Sequence, residues 1–195
     1  KIKLGAQDCF WEEKGAFTGE ISPKMLKNLG CEYIIIGHSE RRRHFCETDE
    51  MINKKIKAVL KAELKPIFCI GETEEEREKG ETSNRISSQI KRGLFKIPQK
   101  EVKNIIIAYE PLWAIGTRNP CLPEEALRMV LLLRKIIAKE YSVPITESLS
   151  IIYGGSVDSK NAKNYIKEAE MAGILVGGAS LNPQEFVKII KTAST

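Results

Sequence analysis

Two side chains in this sequence stand where acid–base chemistry needs them. His38 follows the apolar run Ile34–Ile36 across a single glycine, and Glu110 follows Ile107-Ala108-Tyr109 and is held by Pro111. An imidazole exchanges protons near neutral pH. A carboxylate at the end of a buried strand is desolvated, which raises its pKa toward the range of a useful general base. Each has a plainer reading. A histidine is most often a satisfied or solvent-facing side chain, and a buried carboxylate can simply pair with one of the many Lys or Arg residues. For His38 the position directly behind an apolar strand favours the chemical reading.

Other segments at strand ends add to the pattern. Gly154-Gly155-Ser156 and Gly177-Gly178-Ala179-Ser180 close the last two apolar runs. Glycine lets backbone N–H groups come close to an anion, and a helix starting there would add the positive end of its dipole. Either pair alone could merely turn the chain; two pairs after consecutive strands point to phosphate. Trp113-Ala114-Ile115-Gly116-Thr117 is apolar where a surface loop is ordinarily polar, which fits either a lid that excludes water or a packed loop. His44 and Cys46 form a His-x-Cys pair with no second pair nearby, beside Arg41-Arg42-Arg43, so no metal is expected.

These segments need a scaffold that brings strand ends together. Strand-like runs occur at Ile2–Gln7, Tyr33–Ile36, Pro66–Ile70, Ile105–Tyr109, Leu149–Tyr153 and Ile174–Val176. Ser22-Pro23, Leu122-Pro123 and Asn182-Pro183 place proline at first helical positions. Thr48-Asp49-Glu50 opens a helix whose Ile52, Ile56, Val59, Leu60 and Glu63 keep helical spacing, and Gly30 and Gly80 suit left-handed helix ends. Glu74–Lys79 reads as a solvated helix face, and Ala126–Ile137 as a helix covering the sheet. The alternation predicts an α/β fold with a parallel sheet, right-handed crossovers and all the polar segments at its C-terminal edge. No linker or low-complexity tract interrupts it, so one domain over residues 1–195 is expected.

The 195 residues carry 31 Lys and Arg against 26 Asp and Glu, a net +5, and are 42% hydrophobic and 29% charged. That composition excludes a disordered or coiled-coil chain. The charges are interspersed, which suits a small anion and argues against nucleic acid. No apolar run reaches the roughly 18 residues of a membrane helix. Five cysteines without a CxxC pair suggest a reducing, cytoplasmic setting, and Lys1-Ile2-Lys3-Leu4 reads as a strand start rather than a signal peptide.

Taken together, these residues resemble the triosephosphate isomerase family. The resemblance is carried by Gly5-Ala6-Gln7, Gly15–Ser22, Ile36–Arg42, Cys69–Glu72, Ala108–Thr117, Tyr153–Val157 and Leu175–Leu181, in family order. It implies a TIM (β/α) barrel, here with about six βα units instead of eight, since a full barrel runs to about 250 residues. It also implies interconversion of glyceraldehyde 3-phosphate and dihydroxyacetone phosphate through an enediol, in glycolysis and gluconeogenesis, with no cofactor and no metal. Glu110 would be the base, His38 the neutral electrophile and Glu40 a supporting carboxylate. The lid would span Pro111, Leu112, Trp113, Ala114, Ile115, Gly116 and Thr117. Gly116 would donate to the phosphate alongside Ser156, Leu175, Gly177 and Gly178. Phe17-Thr18-Gly19 resembles the family's dimer arm, which implies a homo-oligomer.

The match begins at what would be the family's third strand, so the family's Asn-x-Lys at the first strand end has no counterpart in this sequence. A lysine there supplies charge to the substrate, and its loss commonly costs a few kcal/mol of transition-state stabilisation. Asp8 stands where the family usually has Asn, and Arg118-Asn119 where the lid's trailing hinge usually has Gly and a basic residue. Six strands of an eight-strand design would leave the first and last strands as open edges, so self-association is expected where this chain is the whole molecule. A weak or inactive relative that binds phosphate as an oligomeric scaffold is the alternative function. A metal-dependent sugar-phosphate epimerase barrel lacks its ligands on these strands.

Overall fold

The computed structural model describes residues 2–117 and 120–194. Six strands, β1 Leu4–Ala6, β2 Cys31–Ile36, β3 Lys65–Ile70, β4 Ile106–Tyr109, β5 Ser150–Tyr153 and β6 Gly173–Ile174, pair in chain order in one sheet, every pair parallel. The sheet curls into a half-barrel with helices between successive strands, the six-unit (β/α) arrangement expected. Parallel neighbours must be joined by crossovers, and the crossover helices cover the sheet.

Local sequence explains where the helices begin. Ser22 caps α1 (Pro23–Asn28) by accepting from the Met25 N–H, and Asn182 caps α10 (Pro183–Ala193) by accepting from the Glu185 N–H. Thr48 caps α3 (Asp49–Lys61) in the same way. Gly30 and Gly80 take positive φ where helices end. The helix α3 stops earlier than its apolar spacing suggests. Glu63 has φ 57° and lies in the turn that sends the chain into β3, where the Leu64 N–H meets the Val59 carbonyl at 3.0 Å. Between α2 (Ser39–His44) and α7 (Pro123–Glu140) lie α4 (Glu74–Glu78), α5 (Thr82–Gly93) and α6 (Gln99–Val102); α8 (Val143–Ser148) and α9 (Ala162–Lys167) follow α7.

Ile52 and Ile56 of α3, Ile86 and Ile90 of α5, and Leu133 and Ile137 of α7 bury themselves in one core with Ile34, Phe68 and Ile107 of the strands. Each such side chain contributes about 1.5–3 kcal/mol through removal from water. Packing is tight enough that a Cβ on Gly93 would lie 2.4 Å from the Phe68 ring.

The edge strands are shorter than their apolar patterns. β1 covers only Leu4–Ala6, with a register shift after Leu4, and β6 only Gly173–Ile174. Among the described residues each has one strand neighbour. A strand hydrogen-bonded on one side loses half its ladder, so pairing frays where the sequence still alternates. Apolar surface lies open along both edges, at Ile2 and Leu4 on one side and at Leu181, Val187 and Ile190 on the other.

A four-charge cluster ties β1 to the helices behind it. Lys55 of α3, with a 3% exposed side chain, sits 2.8 Å from both carboxyl oxygens of Asp8 and also contacts Glu47. Arg41 Nε reaches Asp8 at 2.9 Å and Glu47 at 2.6 Å. Burial pushes the Asp8 carboxyl up despite its cationic neighbours.

Candidate active site

Strand register decides which side chains share an edge. Ile70, Tyr109, Tyr153 and Ile174 are successive partners across β3 to β6. The residues just beyond, Gly71, Glu110, Gly154 and Leu175, therefore emerge together at the C-terminal edge. The ladder extends through them: the Glu110 N–H donates to Ile70 O at 2.7 Å, Gly154 to Tyr109 O at 2.8 Å and Leu175 to Tyr153 O at 2.7 Å. One strand over, β2 ends at Ile36, and Gly37 with φ 75° swings the chain so that His38 caps α2.

His38 and Glu110 meet at this edge. His38 Nε2 lies 3.1 Å from Glu110 Oε1. The other ring nitrogen, Nδ1, accepts from the Glu40 N–H at 3.3 Å. A ring nitrogen that accepts carries no proton, so in the neutral imidazole the proton sits on Nε2, facing the carboxylate and the open mouth. His38 is 30% exposed whereas the Glu110 side chain is only 1% exposed.

The Glu110 carboxylate is held by a backbone amide on one oxygen and faces the His38 ring with the other. Glu110 Oε2 accepts from the Ser39 N–H at 3.0 Å, while Oε1 is buried and has no aligned hydrogen bond. Burial raises the Glu110 pKa above the ordinary carboxylate range, and His38, the Ser39 amide and the Cys69 thiol offset part of that rise. Two glycines make room for it. A Cβ on Gly71 would sit 1.7 Å from the Glu110 carbonyl oxygen, and one on Gly154 would sit 2.9 Å from Glu110 Cγ.

Glu40 is at the edge but exposed, 3.8 Å from His38 Nδ1; its amide makes the closer contact. Pro111 leads into a 3-10 turn over Leu112–Ala114, with Ala114 buried, Ile115 partly buried, and Gly116 (φ 69°) and Thr117 exposed. The Arg118-Asn119 hinge expectation lies outside the described residues. Ser156 follows β5 and is partly buried; Leu175 is partly buried, and Gly177 and Gly178 are exposed, with nothing within 4 Å of a Cβ built on either. The glycine pairs do not open directly into long helices. Gly178–Leu181 is a 3-10 turn, and α9 starts only at Ala162, so backbone N–H groups rather than a helix dipole are what these loops offer. Phe17, Thr18 and Gly19 lie far along the chain from β3–β6, on a loop whose base is tied by the Phe10 N–H to Ile21 O at 2.9 Å and whose Phe10 and Phe17 rings are 4.8 Å apart.

Three residues to which the sequence alone assigned no individual role complete the picture. Cys69, fully buried, places its thiol against Glu110, and burial holds that thiol well above its ordinary pKa. Glu72 accepts from Tyr109 Oη and from Trp113 Nε1, both at 2.9 Å, and its carbonyl accepts from the Leu112 N–H. Arg77 stacks on the Trp113 ring at 3.7 Å. The apolar loop is thus latched through Trp113. The signal for Glu72 was present in its position two residues past β3; its partners, distant in sequence, could not be read from it. Among the described residues no three His, Cys, Asp or Glu side chains gather as a metal-holding group.

Comparison with known proteins decides the family. The family model described as triosephosphate isomerase matches residues 1–193. The chain belongs to the triosephosphate isomerase family. A triosephosphate isomerase of Dictyoglomus turgidum is 52% identical over 191 residues, covering 98% of this chain and 77% of the relative. One of Chloroherpeton thalassium is 49% identical over 192 residues, with 98% and 76% covered, and one of Clostridium tetani is 48% identical over 189 residues, with 97% and 74% covered. The triosephosphate isomerase assignment agrees with the resemblance read from Ile36–Arg42 and Ala108–Thr117, and makes the chain a member of a family of isomerases. Among the described residues no helix is long and apolar enough to cross a membrane.

Proposed function

We propose that this chain interconverts glyceraldehyde 3-phosphate and dihydroxyacetone phosphate. The observation that carries the reading is the 3.1 Å approach of His38 Nε2 to a buried Glu110 oxygen with no aligned hydrogen bond. Glu110 takes the proton from the carbon next to the carbonyl. Its raised pKa matches a base that must accept a proton and then return it to the neighbouring carbon. His38, donating from Nε2, stabilises the oxygen on which negative charge develops. Protons on the two carbons and two oxygens of the enediol exchange places, and nothing is oxidised or reduced overall. Glu40 supports His38 through the backbone amide that fixes the ring's tautomer.

The backbone N–H groups of Gly116, Ser156, Gly177 and Gly178, with Leu175 beside them, hold the substrate's phosphate. Pro111–Thr117 closes over it, and closure requires Trp113 to leave Glu72. Both the exposed, unobstructed Gly177 and Gly178 and the latched Trp113 support this reading. The exposed Phe17-Thr18-Gly19 arm supports a homo-oligomer. Light scattering that shows only a monodisperse 21.9 kDa species would contradict that association.

A coupled assay with glyceraldehyde 3-phosphate tests the activity, with Glu110→Gln as control. Turnover that disappears in the variant supports the proposal; no turnover in the unaltered protein favours phosphate binding without catalysis. A Gly178→Asp variant checks the phosphate site. A carboxylate there faces the phosphate, and a like-charge contact costs several kcal/mol, so KM should rise at least about tenfold. An unchanged KM would remove Gly178 from the phosphate site.

A further inference from the structure

We propose that Arg42 is a positioning residue for the proposed isomerisation, a clamp on the ends of β2 and β3 that sets the distance between His38 and Glu110; the inference rests on the function proposed above. Arg42 lies in α2, four residues after His38, and its side chain is only 14% exposed. Its Nε donates to Gly37 O at 2.8 Å, its Nη2 to Cys69 O at 3.2 Å, and its Nη1 to Asp49 at 2.6 Å.

Those two carbonyls are where the β2–β3 ladder stops. The last paired residues are Ile36 and Phe68, and Gly37 then turns away with positive φ. Buried carbonyls without partners are costly, and the ladder supplies none past this point. The planar guanidinium fills the gap with a fixed fork, donating to one carbonyl from each strand and holding the strand ends apart by its own width. Asp49, the first residue of α3, neutralises the charge and is itself buried.

The clamp acts on both members of the pair. On one side Gly37 leads directly to His38, and α2 also carries the Ser39 N–H that grips Glu110 Oε2. On the other, the residue whose carbonyl Arg42 holds is Cys69, and the next residue, Ile70, accepts from the Glu110 N–H at 2.7 Å. A shift of the guanidinium therefore moves the imidazole, the Ser39 amide and the strand end that seats Glu110 relative to one another. Arg41, next in the same helix, points instead to Asp8 and Glu47. The two arginines anchor α2 in different directions, and only Arg42 reaches the strand ends under the site.

Arg42→Lys separates positioning from simple stability. One ammonium keeps the ion pair with Asp49 but cannot span both carbonyls with fixed geometry. The expected result is a thermal midpoint close to that of the unaltered protein and a kcat lower by about ten- to a hundredfold, with KM within about twofold. In the substrate-free protein at one fixed pH, the 15N signal of His38 Nε2 and the 13C signal of the Glu110 carboxyl should both move. Asp49→Asn, which keeps the guanidinium, should move them less. An Arg42→Lys protein with unaltered kcat and unmoved signals overturns the proposal, as does a fall in activity that only follows loss of folded protein. Should the unaltered protein lack turnover, the proposed function fails, while the substrate-free signals still decide the role of Arg42.

Discussion

Glu110→Gln should abolish most turnover without weakening the fold. Removing a general base costs about 10²- to 10⁴-fold in rate. The stability change runs the other way. The Glu110 carboxyl is raised in the folded protein, so the folded state binds its proton more tightly than the unfolded chain does. Stability from this group is present below the ordinary glutamate pKa and is lost as pH rises toward the raised value. At neutral pH the ionised carboxylate is thus a burden that glutamine relieves. A thermal midpoint equal to or above that of the unaltered protein, together with the loss of kcat, is the expected pair of results. The same shift places the acid limb of kcat/KM above the usual carboxylate range. A limb at an ordinary glutamate pKa, or a variant both active and less stable, would argue against Glu110 as the base.

Lys55→Met should give the largest loss of stability. It removes one of two cations from a site where Glu47 stays buried and Asp8 partly buried, and Arg41 alone cannot neutralise both. Breaking a buried ion pair by removing one partner typically costs about 3–5 kcal/mol. Glu47 Oε2 already lacks a hydrogen bond, so little reserve exists to absorb the change. Urea unfolding at neutral pH measures the cost. The penalty should shrink as pH is lowered, because Asp8, already raised by burial, would be raised further and protonates more readily in the folded state. A penalty under about 1 kcal/mol, independent of pH, would show that water replaces the ammonium.

How much of this was legible beforehand depended on whether the determining interactions were local. Strands and capped helices were, because Ser22-Pro23, Thr48 and Asn182 satisfy their own helix starts within three residues. The ends of β1 and β6 were not, since pairing at a sheet edge depends on a neighbour that the sequence pattern does not contain. His38 and Glu110 stood out as polar groups behind apolar strands. Their approach follows from strand order and register, which a repeated βα rhythm implies. Arg42, Cys69 and Glu72 stood inside segments that carry the family resemblance, but with no role of their own. Their roles come from partners 27 or more residues away: Cys69 for Arg42, Glu110 for Cys69, and Trp113 for Glu72. Family resemblance supplied the reaction, which neither period nor spacing contains.

Deuterium uptake from heavy water into dihydroxyacetone phosphate, followed by proton NMR, tests the central claim most directly, because it reads proton removal itself even where overall turnover is slow. The account predicts one deuteron at the hydroxymethyl carbon with the unaltered protein and only background uptake with Glu110→Gln. Equal uptake by both proteins, or none by the unaltered one, would contradict it.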